Sequence, residues 1–275
     1  MQNENVENEA FKLLQEAIIF NPGDLSFENG LSGIGYIVMC LIDKNFIEAD
    51  FDEIFGEQYE KIVKSIVDVE KKPEMLLNSM KVIYFLSKAA CIKPKDERLS
   101  RTKQKIFEGL ELFLTLQFQD FSDIHCINDK MAVLRIYEVY LKLVNFAGYK
   151  HFSHVLLENY AVLYQTGRVL SSLAIGYELD ILVRRNSIAG YDDIVNEQIA
   201  DGTRNIHFAH LSLKEKIDVA KLLSDMEHNG IALQNQDGML RNLFKEINIK
   251  ASPLDYYTGL ARLVILCVNR QTELL

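Results

Sequence analysis

Among the six histidines and four cysteines, the types that bind a transition metal, four residues stand in two close pairs. His125 and Cys126 are adjacent, and His207 and His210 stand three residues apart. Zinc takes imidazole and thiolate ligands, about three of them at a catalytic site with a fourth position open. His125, Cys126, His207 and His210 are therefore one candidate metal set, which requires two connecting segments to converge. A second group is Glu28, Asp129 and Asp255, with Tyr256 and Tyr257 beside the last. Two opposed carboxylates can act as general acid and base on a glycosidic bond, although no spacing here selects a pair. Gly30, Gly33 and Gly35 have the look of a phosphate loop. They lack both a preceding strand and a Gly-Lys-Ser/Thr ending, so the pattern does not support nucleotide binding. His151 and His154 read as a solvated turn.

The segments that must position these residues are helical. Ile54, Phe55, Tyr59, Ile62, Val63, Ile66 and Val67 recur at three- and four-residue steps and form one apolar stripe. Sustained period-two alternation is absent. The prolines Pro22, Pro73, Pro94 and Pro253 all fall between helical stretches. Two kinds of helix alternate. Segments near 7–20, 51–69, 101–118, 151–164, 191–200 and 238–248 are amphipathic. Those at 31–43, 76–91, 130–146, 168–184 and 257–269 are apolar on nearly every face, with a more polar one near 213–226. A helix apolar all round is expected to be buried on all sides. The pattern thus predicts an all-α fold of about six hairpins in two layers, with residues 1–275 as a single domain.

Composition narrows the function. The chain has 275 residues, 39 acidic against 30 basic side chains, and a net charge of -9, which opposes a general nucleic-acid or polybasic membrane-surface role. The start is polar and acidic, unlike a signal peptide, and the longest apolar runs are about half a bilayer span. No nucleic-acid or membrane partner is expected, and a cytoplasmic setting is. The cysteines Cys40, Cys91, Cys126 and Cys267 show no Cys-x-x-Cys, so neither a disulfide scaffold nor a zinc ribbon is indicated. Cys40, Cys91 and Cys267 read as small core hydrophobes.

An internal repeat supports the hairpins. Gly33-Ile34-Gly35-Tyr36 returns 141 positions later as Ala174-Ile175-Gly176-Tyr177, and Gly30-Leu31-Ser32 returns at an offset of 229 as Gly259-Leu260-Ala261. These offsets approach three and five units of about 46 residues, near the length of a HEAT repeat, so periodicity alone leaves an open solenoid as an alternative.

The stretch Asn29-Gly30-Leu31-Ser32-Gly33-Ile34-Gly35-Tyr36, followed by Leu41-Ile42-Asp43-Lys44-Asn45-Phe46-Ile47-Glu48-Ala49-Asp50, resembles lanthionine synthetase C-like (LanC-like) proteins. The resemblance covers roughly residues 25–70. It implies an α/α toroid, with the glycines letting inner helices approach closely. Enzymes of that family add a cysteine thiol to a dehydroamino acid, on a zinc held by one Cys and by an adjacent Cys-His-Gly. The matched positions here are Glu28, Asn29, Tyr257 and Thr258, so no zinc cofactor is expected at that site.

The resemblance thus implies a degenerate member that binds a peptide or a peptide-modifying partner. The binding residues would lie on the rim where inner helices begin: Glu28, Asn78, Asp129, Arg168, His207, His210, Asp255, Tyr256 and Tyr257. Asn128 or Asp129, and Asp255, also read as helix caps. Arg135 and Glu138 are spaced to pair, while Glu178, Asp180 and Arg262 interrupt apolar runs. These charges either line a cavity or form structural ion pairs. The alternatives are a toroidal carbohydrate-active enzyme using rim carboxylates and an open helical-repeat scaffold.

Overall fold

A computed structural model of the protein describes residues 12–13, 15–16, 23–69, 77, 79–231, 233 and 236–245. Among them are ten α-helices and no strand: α1 Leu31–Asp43, α2 Phe51–Val69, α3 Val82–Ile92, α4 Glu97–Gln119, α5 Ile127–Ala147, α6 His154–Gln165, α7 Leu173–Asn186, α8 Asp192–Arg204, α9 Leu213–His228 and α10 Gln236–Lys245. A 3-10 turn at Phe208–His210 precedes α9. None of the described helices is long and apolar enough to cross a membrane. The chain divides into two compact units, Met1–Leu170 with Ile181–Ala189, and Ser171–Asp180 with Gly190–Leu275.

In the first unit the alternation read from the sequence becomes two layers. Helices α1, α3 and α5 pack in series, and so do α2, α4 and α6; α1 meets α2, while α4 meets both α3 and α5. Helices α1 and α3 run parallel, since Glu28 pairs with Lys81 just before both helices and Asp43 with Lys88 further along them. Helices α4 and α5 run antiparallel: Phe118 meets Tyr137, whereas Phe107, three turns earlier, stacks on Tyr149 beyond the end of α5. Between the layers Phe55, Phe85, Leu86, Phe107, Leu110, Tyr137 and Leu141 are fully enclosed. Burying side chains of this size contributes roughly 1.5–3 kcal/mol each.

Helix limits follow local chemistry. Helix α4 starts at Glu97 rather than near 101 because the Asp96 carboxylate accepts from the amide of Arg98. Asp96 also accepts from Tyr59 Oη at 2.6 Å, and Arg98 grips Glu60 through two bonds of 2.8 and 2.9 Å. The Arg98 guanidinium also donates to Asp96, at 2.6 Å from Nη2, and this, with Tyr59 adding to it, holds the Asp96 carboxyl far below the usual carboxylate range.

Helix α7 begins at Leu173, five residues later than the expected 168. Gly167 is left-handed at φ 69° and closes α6, with its own amide on the Tyr164 carbonyl and the Arg168 amide on that of Leu163. Arg168 therefore belongs to the end of α6, not to the start of the next inner helix. Helix α5 begins at Ile127 with Cys126 as its cap residue, so Asn128 and Asp129 lie inside the first turn and are not caps. Asp129 still faces the positive end of that helix favourably.

Two expectations about the inner helices are corrected. They are not buried on all sides: Ile37 of α1 is 53% exposed, and Met131 and Phe146 of α5 are exposed as well. These helices are apolar enough to bury a wide face against the other layer and still leave apolar side chains over. Cys91 is also exposed rather than core, its thiol donating to the Ser87 carbonyl, while Cys40 is half-buried. Cys267 lies outside the described residues.

In the second unit α9 and α10 pack together. Ile217, Ala220, Leu223 and Met226 of α9 and Leu240 and Leu243 of α10 are buried. Ser212 and Glu215 form a reciprocal capping box at the start of α9, each bonding the other's backbone amide.

Candidate functional site

The signature glycines sit at the start of α1. The loop from Asp24 to Gly30 folds over that helix end: the Leu31 amide donates to the Asp24 carbonyl at 2.7 Å and Ser32 Oγ to the Leu25 carbonyl at 2.6 Å. Side chains at Gly30 and Gly33 would strike the carbonyls of Asp24 and Phe27, respectively. At Gly35 a Cβ would stand 2.5 Å from the Phe55 ring and 2.7 Å from that of Phe85. Helices α1, α2 and α3 therefore converge at Gly35, and all three glycines are consumed by packing.

This fold of the loop delivers Phe27 to an aromatic cluster. Its ring lies 5.5 Å from Tyr36 and 5.2 Å from Tyr84, and Phe146 closes the group at 4.7 Å from Tyr84 and 6.4 Å from Tyr36. Burial, reinforced by the neighbouring Cys40 and Tyr84, pushes the Tyr36 hydroxyl up to about 12. The cluster joins the Asp24–Gly30 loop to three first-layer helices. Sequence reasoning missed Tyr84 and Phe146, because nothing local marks residues that come from separate repeats.

The predicted rim residues fall into several environments. Glu28 is ion-paired with Lys81, which the sequence did not single out. Asp129 is exposed at the first turn of α5. Arg168 is exposed at the end of α6. His207 and His210 are exposed in the second unit, with ring centroids 6.3 Å apart, held by the His210 amide donating to the His207 carbonyl at 3.0 Å. His125 and Cys126 are exposed before α5 in the first unit. Among the described residues no three His, Cys, Asp or Glu side chains are grouped so as to hold a metal ion. Asn78, Asp255, Tyr256 and Tyr257 lie outside the described residues, as does Arg262.

Among the charges on these helices, Glu138 forms an ion pair. Glu138 accepts from Lys142 at 2.5 Å, one turn along α5, in place of the anticipated Arg135. Glu178 of α7 is buried, 7% exposed, and has a partner. Its neighbour Tyr177 accepts from Asn229 Nδ2 at 2.8 Å, and burial pushes its hydroxyl up to about 12, with Asp225 adding to the rise.

A third polar node joins α4, α5 and the start of α6. One oxygen of Glu111 accepts both from Tyr140 Oη at 2.7 Å and from the Ser153 amide at 3.1 Å. Burial pushes this carboxyl upward. Its role is to anchor the α5–α6 connection.

No protein-family model matches the chain, and comparison with curated proteins and with solved structures finds no match.

Proposed function

We propose that the protein is a non-catalytic lanthionine synthetase C-like protein of the cytoplasm. In this reading it is a closed α/α ring of about six hairpins that binds a peptide or a peptide-modifying partner in ribosomal peptide maturation. The observation that carries it is the use made of Gly30, Gly33 and Gly35. The residues of the resemblance seat a first-layer helix against its loop and two neighbours, the purpose such a signature would serve in a narrow ring. The parallel course of α1 and α3 and the alternation of layers support the same architecture.

The residues at the matched metal positions do not fit zinc. The carboxylate of Glu28 is engaged by Lys81, and Asn29 offers only an amide side chain, with its backbone N–H directed to Ser26 Oγ. No thiolate or imidazole stands there, so no cyclisation step is derived. What remains suits binding. Phenylalanine and tyrosine rings give rigid contact area, the tyrosines with a polar tip, and the Glu28–Lys81 pair can exchange partners with a peptide's charges.

The test is titration of a precursor peptide encoded beside the gene, in native and dehydrated forms. Phe146→Ala and Tyr257→Ala should weaken its binding. A fall in melting temperature with unchanged binding would make these residues purely structural and the rim reading wrong. Metal analysis of chelator-free protein should find no stoichiometric zinc. One zinc per chain, lost in Cys126→Ala or His207→Ala, would establish the relocated metal set instead.

A further inference from the structure

On a chain with net charge -9, the stretch from Lys93 to Lys105 is of opposite character: it holds six Lys and Arg against two acids. Most of it forms the first half of α4. Lys93 is bound to Asp52, and Arg98 to Glu60 and Asp96. Among the described residues Lys95 and Arg101 form no ion pair, and both are exposed, as is Lys105. Lys64 of α2, one turn beyond Glu60 and also exposed, adds a further cation beside this half of the helix.

The same face of α4 changes chemistry further along. Arg101, Lys105, Glu108, Leu112 and Leu116 follow at steps of four, three, four and four residues, and all five are exposed. Steps of that size keep them on one stripe, about 22 Å long at 1.5 Å per residue. Leu112 is 64% and Leu116 50% exposed. Glu108 between the two halves is occupied by Gln104 at 2.8 Å. Helix α6, packed along α4, exposes Val155 and Val162 as well.

We propose that this stripe is a docking surface for an acidic, amphipathic peptide segment of a partner protein. The segment would place two or three carboxylates over Arg101 and Lys105, and aliphatic side chains over Leu112 and Leu116. Charge complementarity selects the acidic end, and exposed leucines in register with the cations select the aliphatic end. A nucleic-acid backbone would need cations along the whole stripe, where half of it is leucine. An anionic membrane would meet Glu108 at its centre. The surface is separate from the starts of α1 and α3, and the proposal does not depend on the lanthionine synthetase reading.

The experiment is selection of a phage-displayed library of random 16-residue peptides on the full chain, followed by titration of the enriched peptides. Enriched sequences should combine Asp or Glu with Leu, Ile or Val two turns away. Their affinity should fall about tenfold in Arg101→Glu/Lys105→Glu and again in Leu112→Ser/Leu116→Ser, with the charge contribution screened by salt. Circular dichroism should show these surface variants folded. Failure to enrich peptides, or enrichment of peptides that bind the variants equally, overturns the proposal. Binding to phosphatidylcholine–phosphatidylserine vesicles that the same substitutions abolish, without peptide binding, overturns it in favour of a lipid surface.

Discussion

Helices α1 and α7 carry the same short pattern 141 residues apart, and their surroundings use it differently. At α1, Gly35 faces the rings of Phe55 and Phe85. At α7, Gly176 faces Gln198 and Ile199 of α8, whose Cβ and backbone amide would lie 2.9 and 3.1 Å from an added Cβ. Both helices end in a left-handed residue other than glycine, Asn45 and Ser187. Helix α7 nevertheless runs two residues further than its copy. The next positions diverge most. Ile37 is mainly exposed, while its counterpart Glu178 is almost wholly buried. The glycine fixes how closely the following helix approaches. It does not fix which flank of the helix meets solvent.

The comparison is broken most directly at the glycines. Gly35→Ala should destabilise the fold by about 1–3 kcal/mol, because two enclosed rings must yield to the methyl group. Gly176→Ala should cost less, since its contacts are longer and the gain in helix propensity, about 1 kcal/mol, offsets part of the strain. Urea unfolding of both variants checks this. Equal losses would mean that Gly35 is no tighter than its copy.

Glu178→Gln should cost about 1–3 kcal/mol by weakening the contacts of a buried carboxylate. No loss of melting temperature would show that its burial is incidental.

Tyrosine ionisation sharpens the likeness rather than the contrast. Tyr36 and Tyr177 are both raised to about 12, so the folded chain holds their protons more tightly than the unfolded chain does. Their contribution is fully present below about pH 10, the unfolded value, and is lost as pH rises through about 12. Tyr36→Phe and Tyr177→Phe should each flatten the alkaline limb of the stability curve. Tyr177→Phe should also cost about 1 kcal/mol at neutral pH through loss of the Asn229 bond. An unchanged alkaline limb in both variants would refute the shared environment.

Ile37→Glu should have the smallest effect, within about 0.5 kcal/mol, as a surface substitution. A larger loss in thermal unfolding would mean that this flank of α1 is covered.

The sequence by itself determined the helices. Period, prolines and apolar content place α1 and α2 at their observed limits, and α9 announces its start through Ser212 and Glu215, three residues apart, a signal that makes this less apolar segment a firm helix. Local chemistry explains the smaller shifts elsewhere: Asp96 captures the start of α4, and Gly167 ends α6 before Arg168 can open the next helix. The glycines of the signature were legible as sites of close approach, because a residue without a Cβ is useful only where another atom takes its place. What occupies each place was not legible. Phe27, Tyr36, Tyr84 and Phe146 gather from a loop and three helices, and Lys81 reaches Glu28 across 53 positions. Such meetings depend on tilt, register and layer order, which set distances through many contacts at once. For the same reason only the tertiary structure decided that Glu138 pairs with Lys142, that Cys91 faces outward, and that an isoleucine is exposed where its repeat copy buries a glutamate.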